Sequence, residues 1–173
     1  RSGGIRVNFN QLGEAVLGEA EALRRLETYR NRLLEPRIDY LSVKLSAVAS
    51  QISLTGYRAT VDLLAERLRI LYRAAMQAGT ERPKFVNLDM EEYRDLSLTI
   101  DVFRRVLDEP EFERLEAGIV LQAYIPDSAS RQRELTEWAI ERQRRTGAGI
   151  KLRLVKGANL AMEQVEASLR GWE

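Results

Sequence analysis

The chain contains no cysteine and no histidine. Without cysteine there are no disulfides and no thiolate metal sites, and the redox compartment stays open. Without histidine the usual general base and the commonest metal ligand are both missing. Long apolar runs are missing too: none is long enough to span a bilayer, and no signal peptide is visible. Neither sign of charge is in excess. The 27 basic and 26 acidic residues leave a net charge of +1, so no bulk field draws the chain to DNA or an anionic membrane. What remains is ordinary for a soluble globular domain: 45% hydrophobic and 31% charged over 173 residues, enough for one domain with a real core. The chain opens at Arg1 without a methionine and stops at Trp172-Glu173, and it reads as a piece of something longer. No linker, low-complexity stretch or second domain is visible.

Five short apolar runs carry polar residues at every second position: Ile5–Gln11, Ile38–Ala47, Phe85–Met90, Ile119–Ile125 and Ile150–Gly157. One parity holds Arg6, Asn8, Asn10, Ser42, Lys44, Ser46, Asn87, Asp89, Gln122, Tyr124, Lys151 and Arg153. The other is apolar. Successive side chains of a strand face opposite ways, so each run predicts a strand with one polar and one apolar face. A helix candidate follows each run. Gly13–Leu34 has apolar Val16, Leu17, Ala20, Leu23, Leu26 and Leu33, and Pro36 stops it. Arg58–Ala78 turns Val61, Leu64, Leu68, Leu71, Tyr72 and Ala75 inward, with Gly79 as its cap. Glu91–Leu107, then a helical turn at Phe112–Leu115, a helix from Ser128 or Ser130 to Arg145 closed by Gly147, and Asn159–Leu169 complete the set.

The order βαβαβαβαβα, at about 35 residues per unit, is that of a parallel sheet with right-handed crossovers. A doubly wound sheet is covered by helices on both faces and is apolar on both. A persistent polar parity instead suits a barrel lumen. A (β/α)8 barrel needs eight units, so the fold class expected is α/β, a partial (β/α)8 TIM-type barrel of about five units. Residues 1–173 would be the N-terminal part of such a barrel domain, with the rest absent.

Barrel sites lie at the C-terminal ends of the strands. There Lys44, Asp89, Gln122 and Arg153 would point into one volume, and Glu14, just after the first run, could join them. So many charged groups cost stability unless paired, and pairing alone rarely beats an apolar core, so the cluster points to function. The turn Leu154-Val155-Lys156-Gly157-Ala158-Asn159 offers a glycine for close approach and helix amides for an anion. The acids in Asp89-Met90-Glu91-Glu92 read as complements to a helix dipole, and no metal is expected. Arg142, Arg144 and Arg145 read as a solvated helix end without the aromatic interleaving of a nucleic-acid site. Two further readings stay open: a Schiff-base barrel aldolase using Lys44, and a non-catalytic module that self-associates through the unpaired edges Ile5–Gln11 and Ile150–Gly157.

The segments Leu12-Gly13-Glu14-Ala15, Ser42-Val43-Lys44-Leu45-Ser46-Ala47, Asn87-Leu88-Asp89-Met90-Glu91-Glu92, Leu121-Gln122-Ala123-Tyr124-Ile125-Pro126-Asp127 and Arg153-Leu154-Val155-Lys156-Gly157-Ala158 resemble, in order, the proline dehydrogenase family. The likeness is closest to the dehydrogenase domain of bacterial bifunctional proline utilization flavoenzymes. It implies a distorted (β/α)8 barrel holding FAD, oxidation of L-proline to 1-pyrroline-5-carboxylate, and electrons passed to a membrane quinone. It implies a cytoplasmic protein, peripheral to the inner membrane, and a parent polypeptide that supplies the rest of the barrel. By the same resemblance Lys44 contacts the substrate carboxylate and Arg153 lies by the reactive flavin nitrogen. Asp89 organises this cationic pair. Gln122, Val155, Lys156, Gly157 and Ala158 contact the cofactor. Glu14 is a gate pairing with an arginine of the barrel's last helix, which in the family also carries an arginine pair and a tyrosine for the substrate. The family commonly has aromatics directly after Lys-Gly-Ala, where this chain has Asn159 and Leu160.

Overall fold

The structure, a computed structural model, describes residues 7–11, 16–79, 81–90, 92–157 and 159–172. Among these residues lies one parallel sheet of five strands in the order β1-β2-β3-β4-β5. The strands are β1 (Phe9–Asn10), β2 (Tyr40–Lys44), β3 (Phe85–Asp89), β4 (Ala117–Gln122) and β5 (Ile150–Val155). The helices are α1 (Glu19–Leu34), a single-turn α2 (Leu45–Val48), α3 (Tyr57–Ala78), α4 (Leu96–Leu107), α5 (Ser128–Thr146) and α6 (Leu160–Arg170). Strand order equal to chain order is the arc of a β/α barrel, since each crossover moves one place in the same direction.

The core lies between the sheet's outer face and the helices. Leu41, Val43, Val86, Leu88, Ile119 and Leu121 point outward from the strands and are buried. Against them pack Leu64, Leu68, Leu71, Tyr72 and Ala75 of α3, and Leu98, Val102, Phe103 and Val106 of α4. The α3 stripe is the one its sequence period predicts. The α1 stripe differs. Ala22, Leu26, Tyr29 and Leu33 are buried, whereas Leu17 is 89% exposed and Leu23 is also exposed. The observed spacing of four, three and four keeps one helix face, and Tyr29 brings a large ring to it.

Several boundaries shift. β2 stops at Lys44 rather than Ala47, because Lys44 caps α2 and Leu45, Ala47 and Val48 turn into the core as a helix. The predicted β4 loses Ala123, Tyr124 and Ile125 to two successive turns, closed by Ile125 N–H donating to the Gln122 carbonyl at 3.3 Å and Ser128 N–H donating to the Ile125 carbonyl at 3.0 Å. Of the first run only Phe9–Asn10 is strand, and Ile5 and Arg6 lie outside the described residues. The helix predicted from Glu91 begins at Leu96, after a 3-10 turn at Tyr93–Asp95.

Glu35 ends α1 in extended conformation, as a residue before proline must. Gly147 closes α5 at φ +79°. Gly79 ends α3 at an ordinary φ, but a side chain there would meet the Arg82 carbonyl oxygen at 2.0 Å. Close backbone approach, rather than a left-handed turn, requires this glycine.

Arg142 corrects an expectation. It is almost fully buried rather than part of a solvated helix end. Its Nε donates to the Leu107 carbonyl, Nη1 to Ala148, and Nη2 to Phe112, Glu113 and Leu115. The guanidinium thus clamps the connection between α4 and β4. Burial lowers its pKa, and Asp108 partly opposes that. Arg144 and Arg145 are exposed, as expected.

Candidate active site

Partners in a parallel ladder share a face. The registers therefore build the lumen in rows. Tyr40 and Phe85 form the lowest, in edge-to-face contact at 4.9 Å. The Lys151 ammonium sits 4.8 Å from the Tyr40 ring centre, so a cation and two rings occupy the N-terminal end of the lumen. The middle row is Asn10, Ser42, Asn87, Gly118 and Lys151. Gly118 is needed there because a side chain would strike the Asn87 amide oxygen at 2.6 Å and the Phe85 ring at 2.9 Å. The upper row pairs Lys44 with Asp89 and Val120 with Arg153; the Leu88–Ile119 pair sets Val120 beside Asp89. Gln122 and Val155 lie above. The charges thus gather at the C-terminal ends of the strands.

Asp89 is the hub of this row. It accepts a hydrogen bond from Asn10 Nδ2 on Oδ2 at 2.9 Å, and one from Asn87 Nδ2 on Oδ1 at 2.8 Å. Arg153 Nη1 approaches Oδ1 at 3.4 Å. Below, Ser42 Oγ accepts from Asn8 Nδ2 at 2.9 Å and from Asn87 Nδ2 at 3.3 Å. The polar parity of three strands becomes one continuous hydrogen-bonded network.

A cleft of about 210 Å³ opens over the upper row, walled by Asn10, Lys44, Asp89, Met90, Val120, Arg153, Val155 and Asn159. Of the expected site residues, Lys44, Asp89, Arg153 and Val155 meet there. Gln122 stands behind the wall instead: it is buried, and its Nε2 donates to the Met90 carbonyl at 3.1 Å. Lys156 is exposed beyond the end of β5. Gly157 has φ +117°, and a side chain there would overlap the Tyr124 ring at 1.5 Å. The room left by this glycine is therefore filled by Tyr124, whose phenol is pushed up by burial, with the Asn159 backbone opposing. Glu14 and Ala158 lie outside the described residues.

Sequence reasoning missed Asn10, Met90 and Val120 as wall residues, whereas Asn159 ends the turn it had singled out for an anion. Asn10 had a legible signal, its place on the polar parity; the others depend on loop conformation and register. At the same end of the sheet, Tyr93 ties three connections together. Its N–H donates to Glu163 of α6 at 2.7 Å, its hydroxyl to Asp127 at 2.7 Å, and its ring meets Trp172 at 5.8 Å. No group of three or more metal-ligating side chains forms among the described residues. No helix among them is long and apolar enough to cross a membrane.

A parallel β/α arc, apolar outside and charged at the C-terminal mouth of its lumen, defines the class: part of a (β/α)8 barrel with a candidate site on the strand ends. Residues 1–173 match the family model described as proline dehydrogenase, and the chain belongs to the proline dehydrogenase family. It is 29% identical over 181 residues to the bifunctional protein PutA of Klebsiella aerogenes, covering 98% of this chain and 13% of that protein. To proline dehydrogenase 1 of Bacillus subtilis it is 28% identical over 155 residues, covering 90% of this chain and 44% of that one. Among solved structures, proline utilization A from Corynebacterium freiburgense superposes with a TM-score of 0.93 at 51% identity, over 98% of this chain and 18% of that one. Proline utilization A from Bdellovibrio bacteriovorus, inactivated by N-propargylglycine, gives 0.84 at 36%, over 96% and 19%.

Proposed function

We propose that this chain supplies the first five β/α units of an FAD-dependent proline dehydrogenase barrel. The parent would oxidise L-proline to 1-pyrroline-5-carboxylate and pass electrons to a membrane quinone, working in the cytoplasm at the face of the inner membrane. One observation carries the reading: Lys44 and Arg153 share an upper lumen row with Asp89 and Val120 between them. Three strand spacings separate the cations, at most about 14 Å along the sheet and less across a curved arc. Side chains reaching inward from both ends leave room for a small ring.

The wall chemistry fits a flavin. Val120, Val155 and Met90 offer apolar surface, Asn159 a polar edge, and Arg153 a cation. FAD, when bound, would accept the hydride removed from the carbon beside the proline nitrogen. Lys44 would hold the substrate carboxylate by a charge-assisted hydrogen bond and so fix which carbon faces the acceptor. Arg153 would place fixed positive charge where negative charge develops, and Asp89 would restrain it. Gln122, already bonded to the Met90 carbonyl, would add a hydrogen bond to the cofactor. Lys156 would lie near its phosphates or ribityl chain, and Val155, Gly157 and Ala158 would make close contacts. Glu14 would gate the site against an arginine of the barrel's last helix. No histidine base is required of this chain if the amine enters deprotonated.

Proline-dependent dye reduction by the FAD-loaded parent tests this reading; no proline-dependent turnover with cofactor bound would refute it. The isolated chain is expected to turn over little, because half a carboxylate clamp loses transition-state binding. A second reading applies to the chain alone. Leu154, Met162, Val165 and Leu169 are exposed on β5 and α6, and α6 buries none of its residues. This apolar surface, beside the open β5 edge, favours self-association. Sedimentation of the isolated chain as a stable monomer would count against it.

A further inference from the structure

The contact between Arg153 and Asp89 is unlike an ordinary arginine–carboxylate pair. Such pairs commonly seat two nitrogens on two oxygens at about 2.7–2.9 Å. Here a single nitrogen approaches a single oxygen at 3.4 Å. The geometry of Asp89 explains why. Asn10 donates to one carboxylate oxygen at 2.9 Å and Asn87 to the other at 2.8 Å. Both bonds come from neutral amides, one on β1 and one two residues earlier on β3, the strand of Asp89 itself, so the plane of the carboxylate is set by β1 and β3.

Asn87 itself has little freedom. It is wholly buried, its amide also donates to Ser42 Oγ at 3.3 Å, and its oxygen abuts the bare Cα of Gly118. The Asn8 amide, two residues before Asn10, holds the same Ser42 hydroxyl at 2.9 Å. Asn10 of β1 and Asn87 of β3 therefore hold Asp89 directly, Asn8 acts only on the Ser42 hydroxyl beneath them, and Arg153 meets Asp89 from across the lumen. Arg153 remains about a third exposed, with a side-chain accessibility of 35%, and lines the cleft.

We propose that Asn10 and Asn87 are positioning residues. By fixing the plane of the Asp89 carboxylate they deny Arg153 a two-pronged seat and keep its positive charge directed into the cleft. The use of that charge to stabilise a reduced flavin rests on the dehydrogenase reading above; the geometry itself does not. Without the amides, Asp89 rotates, takes the guanidinium fork and draws its charge away from the cleft.

The test uses the FAD-loaded parent enzyme with Asn10→Ala and Asn87→Ser. In crystals of either variant, two Arg153 nitrogens are expected within about 3.0 Å of the Asp89 oxygens. The flavin midpoint potential is expected to move negative. The kcat for proline should fall about tenfold while KM stays within twofold, since Lys44 is untouched. A merely structural role would lower the melting temperature without moving the potential or splitting kcat from KM. A one-pronged contact and an unchanged potential in folded variants would overturn the proposal. Should Asn87→Ser fail to fold, Asn10→Ala, at an exposed position on the two-residue β1, decides alone. If the parent lacks proline turnover, the dehydrogenase reading fails, and the Arg153–Asp89 geometry in Asn10→Ala still decides this one.

Discussion

Replacing Arg142 by methionine should open the connection between α4 and β4 while sparing the site. The side chain is 1% exposed and donates to five backbone carbonyls at 2.8–3.3 Å. Nη2 serves three of them with two hydrogens, so four N–H groups do the work of five bonds. Hydrogen bonds to a charged group contribute roughly 1.5–3 kcal/mol each, and four would sum to about 6 kcal/mol at the low end. Against this stands the cost of desolvating the guanidinium, which methionine does not carry and which amounts to several kcal/mol per buried ion. The net local loss expected is about 3 kcal/mol. That corresponds to a roughly hundredfold faster exchange at about 1.4 kcal/mol per decade. Native-state hydrogen exchange of the parent protein reads it at the amides of Phe112 and Leu115, which donate to Glu109 and Phe112 at 2.9 Å. Arg142→Lys keeps the charge but loses the planar fork and should recover less than half of the protection. Exchange within threefold of the parent in Arg142→Met would refute the clamp.

Gly157→Ala should disturb the cleft, because φ +117° and the overlap with Tyr124 act together. The backbone strain alone costs about 1–3 kcal/mol. The melting temperature should fall, and Tyr124→Ala in the same chain should restore only part of it; a neutral Gly157→Ala would refute the reading. Lys44→Met should raise the proline KM at least tenfold in the parent, the value of a charge-assisted bond of about 1.5 kcal/mol, whereas Lys44→Arg should recover much of it. Steady-state kinetics decide, and an unchanged KM would remove Lys44 from the carboxylate. Glu19 is held below its ordinary carboxylate range chiefly by the Ser50 hydroxyl at 2.8 Å, then by Arg67. A depressed carboxyl contributes stability above its unfolded pKa and loses it as pH falls through the folded one. Glu19→Gln should therefore flatten the fall of thermal midpoint with acidification below the ordinary carboxylate range, and equal slopes would count against the pairing.

The fold class was legible because two periods in the chain encode two different faces. Leu64, Leu68, Leu71 and Tyr72 repeat at helical spacing, and Leu41, Val43, Val86 and Leu88 alternate at strand spacing; all are buried where those periods place them. Where the two periods overlap, the reading slipped. Leu45 and Ala47 continue the alternation of β2 on paper but turn into α2, since a short apolar run fits either element and only packing decides. Arg142 looked solvated beside Arg144 and Arg145, and nothing local marks the four carbonyls, from Leu107 to Leu115, that converge on it from about 30 residues away.

The sequence alone determined which side chains face the lumen, because side-chain parity in a strand follows from backbone geometry and needs no partner. It thereby placed Lys44, Asp89 and Arg153 on one surface. Only the tertiary structure decided their relations: that Asp89 is gripped by asparagines from two strands, that Arg153 touches it with one nitrogen, that Gln122 supports Met90, and that Tyr124 fills the space beside Gly157. Each of these depends on the register between strands and the path of the loops after them. Both are fixed by long-range packing, which no local period carries.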